Sequence, residues 1–448
     1  MKNRVLVGLL LFVLVALPLL GACAAPAPQT STPAPAAATP GGPAAAPTKP
    51  ATEPTKPAAE PAKQAAAPAK PAKDKIRIGQ AISLSGPFAS GVAVTSGPVY
   101  DMWVKEVNAS GGIYVKEYDK KLPIEYIKYD DKSDLATMTK LLEKLMIEDK
   151  VDFILPPWST AFLYAAAPIA NKYQYILIGG AGGAAKLKEI ISGLPYFFST
   201  LNFADTQMPV LADILVELGV KRVAIIFIGD LHGVEYSGAA GPEFAQKGID
   251  VVMLKSYAPG IKDLSPLLKE AAAANVDAFI GFTYPDESFL ATGQAMELGF
   301  NPKVFYLSVG PCLTAYRETF GANAVEGVIG PGAWNEKSSP GAKEFANRYR
   351  QILNKEPDDY WGQLYYYSSL QAFQKAIEEA GTLDQKKIRD LMATKTYDTL
   401  VGPFNYEGGF FRGHIGQMGQ WQKGVFEVID PGKNRTSQPI VKPAWPKK

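Results

Sequence analysis

The stretch YILIGGAGGAAKLKEII, residues 175–191, reads as an apolar strand, a glycine-rich turn and the start of a helix. Within it, residues 180–185 satisfy G-x-G-x-x-A, a permitted form of the dinucleotide-binding fingerprint. That fingerprint belongs after the first strand of its unit and needs a carboxylate about 20 residues further on for the ribose. The corresponding segment, LPYFFSTLN at 194–202, has no acid, and three strand candidates precede the glycines: KIRIGQAI (75–82), LPIEYIKYD (122–130) and VDFILPP (151–157). The turn therefore follows a late strand, where backbone N–H groups suit an anion other than a dinucleotide.

Outward from that turn the pattern alternates. Further strands are expected in RVAIIFIGD (222–230), IDVVMLKSY (249–257), VDAFIGFT (276–283), KVFYLSV (303–309) and EGVIGPG (326–332). Between strands lie amphipathic stretches such as LATMTKLLEKLMIED (135–149) and DLSPLLKEAAAANV (263–276). In the first, Leu135, Met138, Leu141, Leu142 and Leu145 fall at helical spacing and are expected to face a sheet. Short apolar strands separated by helices predict parallel sheets covered on both faces, a doubly wound α/β architecture. The pattern restarts near Leu201, with 222–230 playing the part that 75–82 plays earlier. Ligands of such sheets bind beyond the carboxyl ends of the strands, so the residues just after each strand matter most.

The two ends of the chain are of another kind. Lys2 and Arg4 precede an apolar run over 5–20 that closes on Leu20-Gly21-Ala22-Cys23. This is expected to be a signal peptide over 1–22 rather than a membrane span. The tetrad resembles the bacterial lipobox, which implies cleavage before Cys23 and lipidation of its thiol. Residues 23–73 are almost wholly Ala, Pro, Thr and Lys after the cysteine and are expected to form an extended, solvated tether. The only other cysteine is Cys312, so a lipidated Cys23 leaves no disulfide to hold the exported fold. The roughly 375 residues that remain suit two lobes. A net charge of +2 argues against nucleic acid as partner, and no later apolar run is long enough to cross a bilayer.

Four segments in order carry a resemblance. IGQAISLSGPFASG (78–91), VNASGGIYVKEYDKKLPIEYIKYDDKSD (107–134), PPWSTAFLYAAAPIANKYQYILIGGAG (156–182) and the pair YYYSSLQAFQKAIEEAG (365–381) with VGPFNYEG (401–408) are similar to the type I periplasmic binding proteins of ABC importers, in particular the branched-chain amino-acid (leucine, isoleucine, valine) group. The resemblance implies two lobes joined by three crossovers, with a ligand clamped between them. Lobe 1 would be 74–200 plus 332–405, lobe 2 would be 201–331 plus 406–434, and 435–448 a C-terminal tail. It also implies a monomer that presents a small-molecule ligand to a membrane permease, with no cofactor and no metal.

The same resemblance places the site. Ser159 takes the position of the group's carboxylate-binding serine, with Thr160 beside it. Both hydroxyls are equally suited to capping the helix that follows. The glycine loop, Ala181, Gly182 and Gly183, lacks the group's hydroxyl and leaves backbone N–H groups for a carboxylate. Where amino-acid binders carry a glutamate against the ammonium, this chain has Ser308-Val309-Gly310. Asp286 or Glu287 could substitute, or could form a solvated helix start. His232 stands where the group commonly has tyrosine, with a surface-loop histidine as the alternative. Phe88, Trp158, Tyr284, Trp334, Tyr360 and Trp361 are expected at the mouth, whereas residues 365–367 are expected to pack their helix. Several aromatic rings favour a flat or bulky apolar body, so the expected ligand is a small carboxylate, either an amino acid or an amine-free, aromatic one.

An enzyme is the first rival reading. No G-x-S-x-G, H-E-x-x-H or P-loop is present, and two histidines and two cysteines are too few for an ordinary metal site. Asp130 and Asp131 form an acid pair, which leaves a hydrolase of small carboxylates open. The second rival is a ligand-sensing lipoprotein of the same fold, and the third is a purely structural surface lipoprotein.

Overall fold

The computed structural model describes residues 72–446. The expected signal peptide, Cys23 and the tether up to residue 71 lie outside the described residues.

Each half of the chain builds a parallel sheet around its first strand. In the first half, Ile76–Ile82 lies between Ile124–Asp130 and Phe153–Ile154, and a further parallel pair joins Leu177–Gly179 to Phe197–Ser199. In the second half, Arg222–Ile228 lies between Asp250–Tyr257 and Ala278–Phe282, followed by Val304–Leu307 and Ile329–Ala333. Numbering each half's own strands from one, both sheets place the first between the second and the third, the flavodoxin-like order, so the restart read near Leu201 is a true structural repeat. The chain passes between the sheets three times: after Phe197–Ser199, after Ile329–Ala333, and between Phe404 and Gly416.

Helices fill the faces as the spacing predicts, with one difference. Along Leu135–Ile147, Met138, Leu142, Leu145 and Met146 are buried, and the Asp134 carboxylate caps the first turn by accepting from Thr137 N at 2.7 Å. Leu135, in that first turn, remains 42% exposed and Leu141 is half-buried, so the buried stripe is narrower than the sequence pattern implies.

Two antiparallel strands, Gly416–Gln422 and Val425–Val428, extend the second sheet beyond the strands that the sequence pattern predicts. GQMGQWQ has none of the β-branched residues that mark a strand. Its place is fixed instead by buried glutamines: Gln420 Nε2 donates to Gly327 O (2.9 Å) and Ile440 O (2.7 Å), and Gln422 Nε2 to Gln438 O (2.8 Å). These bonds also seat the C-terminal segment, whose Trp445 Nε1 donates to Phe300 O at 2.7 Å.

Candidate functional site

The repeated strand order creates a switch point in each sheet, between its first and third strands, and the segments leaving the strands there approach one another. They enclose a small cavity of about 30 Å³ lined by Thr95, Trp158, Ser159, Thr160, Ala181, Gly182, Gly183, Leu201, His232, Tyr284, Val309, Trp361 and Tyr366. That is room for about two waters, well below the volume of an occupied ligand pocket.

The wall from the first sheet begins directly after Phe153–Ile154. Trp158 is pinned by its indole N–H, which donates to Thr95 Oγ1 at 2.8 Å, while Thr95 donates to Gly91 O at 2.7 Å. Gly91 lies flat against the ring; any Cβ there would overlap it. Ser159 adopts φ 90°, ψ 152° and caps the helix Thr160–Lys172, its hydroxyl accepting from Phe162 N at 3.4 Å. Cap and cavity residue are thus one serine. In the glycine loop, the Gly182 N–H is already used on Gly180 O at 3.2 Å and the following helix starts only at Lys186, so the loop offers fewer free N–H groups than its sequence suggests.

The wall from the second sheet is fixed by bonds internal to that half. Asp230 caps the helix Leu231–Gln246 through Gly233 N (3.1 Å), and its other oxygen accepts from the Tyr284 hydroxyl (2.9 Å). Tyr284, at the N-cap of Pro285–Glu297, stacks on His232 at 5.0 Å and 19°. His232 Nε2 lies 3.0 Å from Ser308 Oγ, and burial lowers the imidazole from 6.5 to about 4, so it is neutral at neutral pH. Burial, then the nearby Asp230 charge, also pushes the Tyr284 phenol well up. Across the cleft, Tyr284 meets Trp158 at 5.1 Å and Phe88 at 5.5 Å, so the two halves touch through aromatic rings.

Of the residues singled out from sequence, Trp158, Ser159, Thr160, Ala181, Gly182, Gly183, His232, Tyr284 and Trp361 line the cavity together. Phe88 stands behind that lining, against Trp158 and Tyr284. Four are not brought there: Asp286, Glu287, Trp334 and Tyr360. Asp286 is exposed in the first turn of its helix, because that turn rotates it away from the cleft that Tyr284 faces. Trp334 is fully buried against Phe345 (5.3 Å) and Tyr360 (5.5 Å), and it is a packing residue. Tyr360 likewise packs, against Trp421 and Phe426. Glu287 is buried and accepts from Gly260 N at 3.2 Å, outside the lining. Thr95 and Leu201 join the lining without any sequence signal that singles them out, and Tyr366, expected with its two neighbours to pack its helix, lines the cavity as well. Three successive tyrosines on one helix point 100° apart, and periodicity alone does not pick which faces a cavity.

Asp130 and Asp131 hold the loop after the first strand. Asp130 accepts from Leu84 N, Ser85 N and the Ser85 hydroxyl, and Asp131 from the Ser83 hydroxyl at 2.7 Å. Among the described residues, no group of three or more His, Cys, Asp and Glu side chains is placed to hold a metal ion.

Two lobes of matching topology, with a small cavity between their switch points, are the frame of a solute-binding protein. The chain belongs to the periplasmic binding protein family, whose model matches residues 75–419. Among characterised relatives, the leucine-, isoleucine-, valine-, threonine- and alanine-binding protein of Pseudomonas aeruginosa is 22% identical over 357 residues, covering 79% of this chain and 91% of its own. Among solved structures, the branched-chain amino acid binding protein LivJ of Streptococcus pneumoniae, in complex with isoleucine, superposes with a TM-score of 0.69 at 21% identity, covering 80% of this chain and all of that one. A solute-binding protein of an ABC transporter from Rhodopseudomonas palustris, in complex with 3,4-dihydroxybenzoic acid, gives 0.66 at 20% identity, with 83% and 99% covered.

Proposed function

We propose that this chain is a lipid-anchored extracytoplasmic solute-binding protein of an ABC importer. It clamps a small carboxylate, an amino acid or an amine-free aromatic acid, between lobes 74–200 plus 332–405 and 201–331 plus 406–434, and presents it to a permease as a monomer. The observation that carries this reading is the cavity itself. Both lobes contribute to its walls from their switch points, and Phe88 and Trp158 of one reach Tyr284 of the other. Its lining offers Ser159 and Thr160 at the start of a 13-residue helix, a setting suited to a carboxylate. Relatives named for leucine, isoleucine and valine binding, and a neighbour solved with an aromatic acid, support the two ligand classes. Closure of the lobes on a ligand is the signal a permease reads.

A thermal-shift screen of the purified chain against amino acids, aromatic carboxylates and short dicarboxylates tests it. A ligand at a hundredfold excess over Kd stabilises the native state by about 2.7 kcal/mol, enough to raise the melting temperature visibly. A screen in which no carboxylate shifts the melt, while turnover or uncharged solutes do, sinks this reading.

A further inference from the structure

On the second lobe's wall, the His232 ring is held through Ser308. Ser308 Oγ accepts from Thr283 N at 2.8 Å and lies 2.8 Å from Thr283 O, which can only accept. The one hydroxyl proton must therefore go to Thr283 O. The remaining lone pair of Ser308 then faces His232 Nε2 at 3.0 Å, so Nε2 carries the ring proton and donates it. Nδ1 is then the unprotonated ring nitrogen, an acceptor on a residue that is 3% exposed and lines the cavity.

The neighbouring acceptors are engaged. Val309 O takes the Ser288 hydroxyl (3.1 Å), Thr283 O takes Ser308, and Asp230 takes Gly233 N and the Tyr284 hydroxyl. A primary ammonium brings three N–H donors, two of which would have to share acceptors that already hold a donor; a hydroxyl brings one and needs only Nδ1. Three of the lining rings turn their polar ends away from the cavity: Trp158 Nε1 to Thr95, Trp361 Nε1 to Asn202 at 2.7 Å, and the Tyr284 hydroxyl to Asp230. What they leave facing the cavity is ring surface. At the opposite wall, Thr160 is 2% exposed and lines the cavity at the start of its helix.

We propose that His232, held by Ser308 as an acceptor at Nδ1, reads one neutral hydrogen-bond donor at the ligand's second-lobe end, so that the site takes carboxylates with a flat apolar body and a hydroxyl remote from the carboxylate. His232 is then a specificity-determining residue and Ser308 a positioning residue. The inference rests on the proposed reading of this cavity as the solute site.

Calorimetric titration of the purified full chain with 4-hydroxybenzoate, benzoate, 4-(aminomethyl)benzoate and L-leucine tests it. The expected result is 4-hydroxybenzoate binding about tenfold tighter than benzoate, the worth of one neutral hydrogen bond. Ser308→Ala is expected to bring that ratio towards one while benzoate affinity holds. Tightest binding by leucine or 4-(aminomethyl)benzoate keeps the solute site and overturns the inference. A Ser308→Ala effect equal on both acids also overturns it. Silence from all four probes overturns the site reading and this inference with it. Nitrogen-15 NMR of the unmutated protein is independent of any folding defect in the variant: a protonated Nε2 with bare Nδ1 is expected, and the opposite tautomer refutes the proposal.

Discussion

Gly91 shows how much one missing methyl can decide. Trp158 reaches its cavity position only because nothing projects from Gly91, whose carbonyl also holds Thr95, the partner of the indole N–H. Gly91→Ala must push the ring aside, costing about 1–3 kcal/mol of stability as an overpacked contact. Ligand affinity is expected to fall at least about tenfold as a cavity wall moves, since a displaced buried aromatic anchor costs that much or more. Unchanged titration curves and unchanged indole fluorescence in the variant would refute the assignment of Trp158 to the site. His414 makes a prediction about acid. Half-buried, and donating Nε2–H to Thr200 O at 2.9 Å, it is lowered by desolvation from 6.5 to about 4. The unfolded chain therefore binds the proton first, and the stability His414 contributes is whole above pH 6.5 and lost as pH falls towards 4. His414→Gln is expected to reduce the acid loss between pH 7 and 4.5 by up to roughly 3 kcal/mol in urea titrations. A variant as acid-labile as the parent would contradict this. Asp359, raised to about 7 by burial, and Asp430, raised to about 6, run the opposite way: each contributes below its unfolded value and loses that contribution as pH rises through the folded one. The parent's profile is consequently flatter in weak acid than either kind of group alone would give.

At the scale of elements, legibility followed chain direction. Trp158, Ser159, Ala181, His232 and Tyr284 each come within a few residues of a strand end, and in a doubly wound sheet that alone sends them to the cleft. Thr95 sits at the junction of two helices and Leu201 in a crossover; their directions depend on packing between distant segments, which no local pattern encodes. Asp286 and Tyr284, two residues apart, part company because a helix begins between them. The edge strand Gly416–Gln422 was hidden for a related reason, since its buried glutamines are satisfied by a segment some 20 residues further on. Ser159 carries the clearest mark of function on an element. Its φ of 90° with ψ of 152° belongs to a region that glycine occupies freely and other residues at a cost of about 1–3 kcal/mol. As an N-cap, glycine loses only a few tenths of a kcal/mol against serine. Ser159→Gly is therefore expected to raise stability by about 1 kcal/mol in denaturant titrations, while ligand affinity drops several-fold with the hydroxyl. A variant that is destabilised, or that binds as tightly as the parent, would show that the strain serves the helix cap alone.

For the whole molecule the question is how an occupied cavity is felt by the segments that let the lobes move, and Trp361 is where the two meet. Its ring lines the cavity, and its Nε1 donates to Asn202 Oδ1 in the first crossover at 2.7 Å. The same ring lies on Gly332, at φ 56° beside the second crossover, so closely that a Cβ would overlap it. Asn202 in turn donates to Gln417, directly after the third. The Trp361 and Gly362 N–H groups are held by the Asp359 carboxylate at 2.7 and 2.8 Å, which fixes the indole against all three connections at once. A ligand that pressed on this ring would act on the connections between the lobes without any longer path. Gly332→Ala tests that coupling from outside the lining, although its Cβ also shifts the Trp361 ring that lines the cavity. The open form should gain weight, and since apparent affinity scales with the fraction of binding-competent protein, a tenfold shift in the lobe equilibrium weakens binding about tenfold. Small-angle X-ray scattering should then record a larger radius of gyration for the unliganded variant and a return towards the parent value at saturating ligand. Weaker binding with an unchanged envelope would mean that Gly332 matters only for the local placement of Trp361; an expanded variant that still closes at saturation, at tenfold higher ligand, would make the indole the joint through which the cavity and the hinge share one equilibrium.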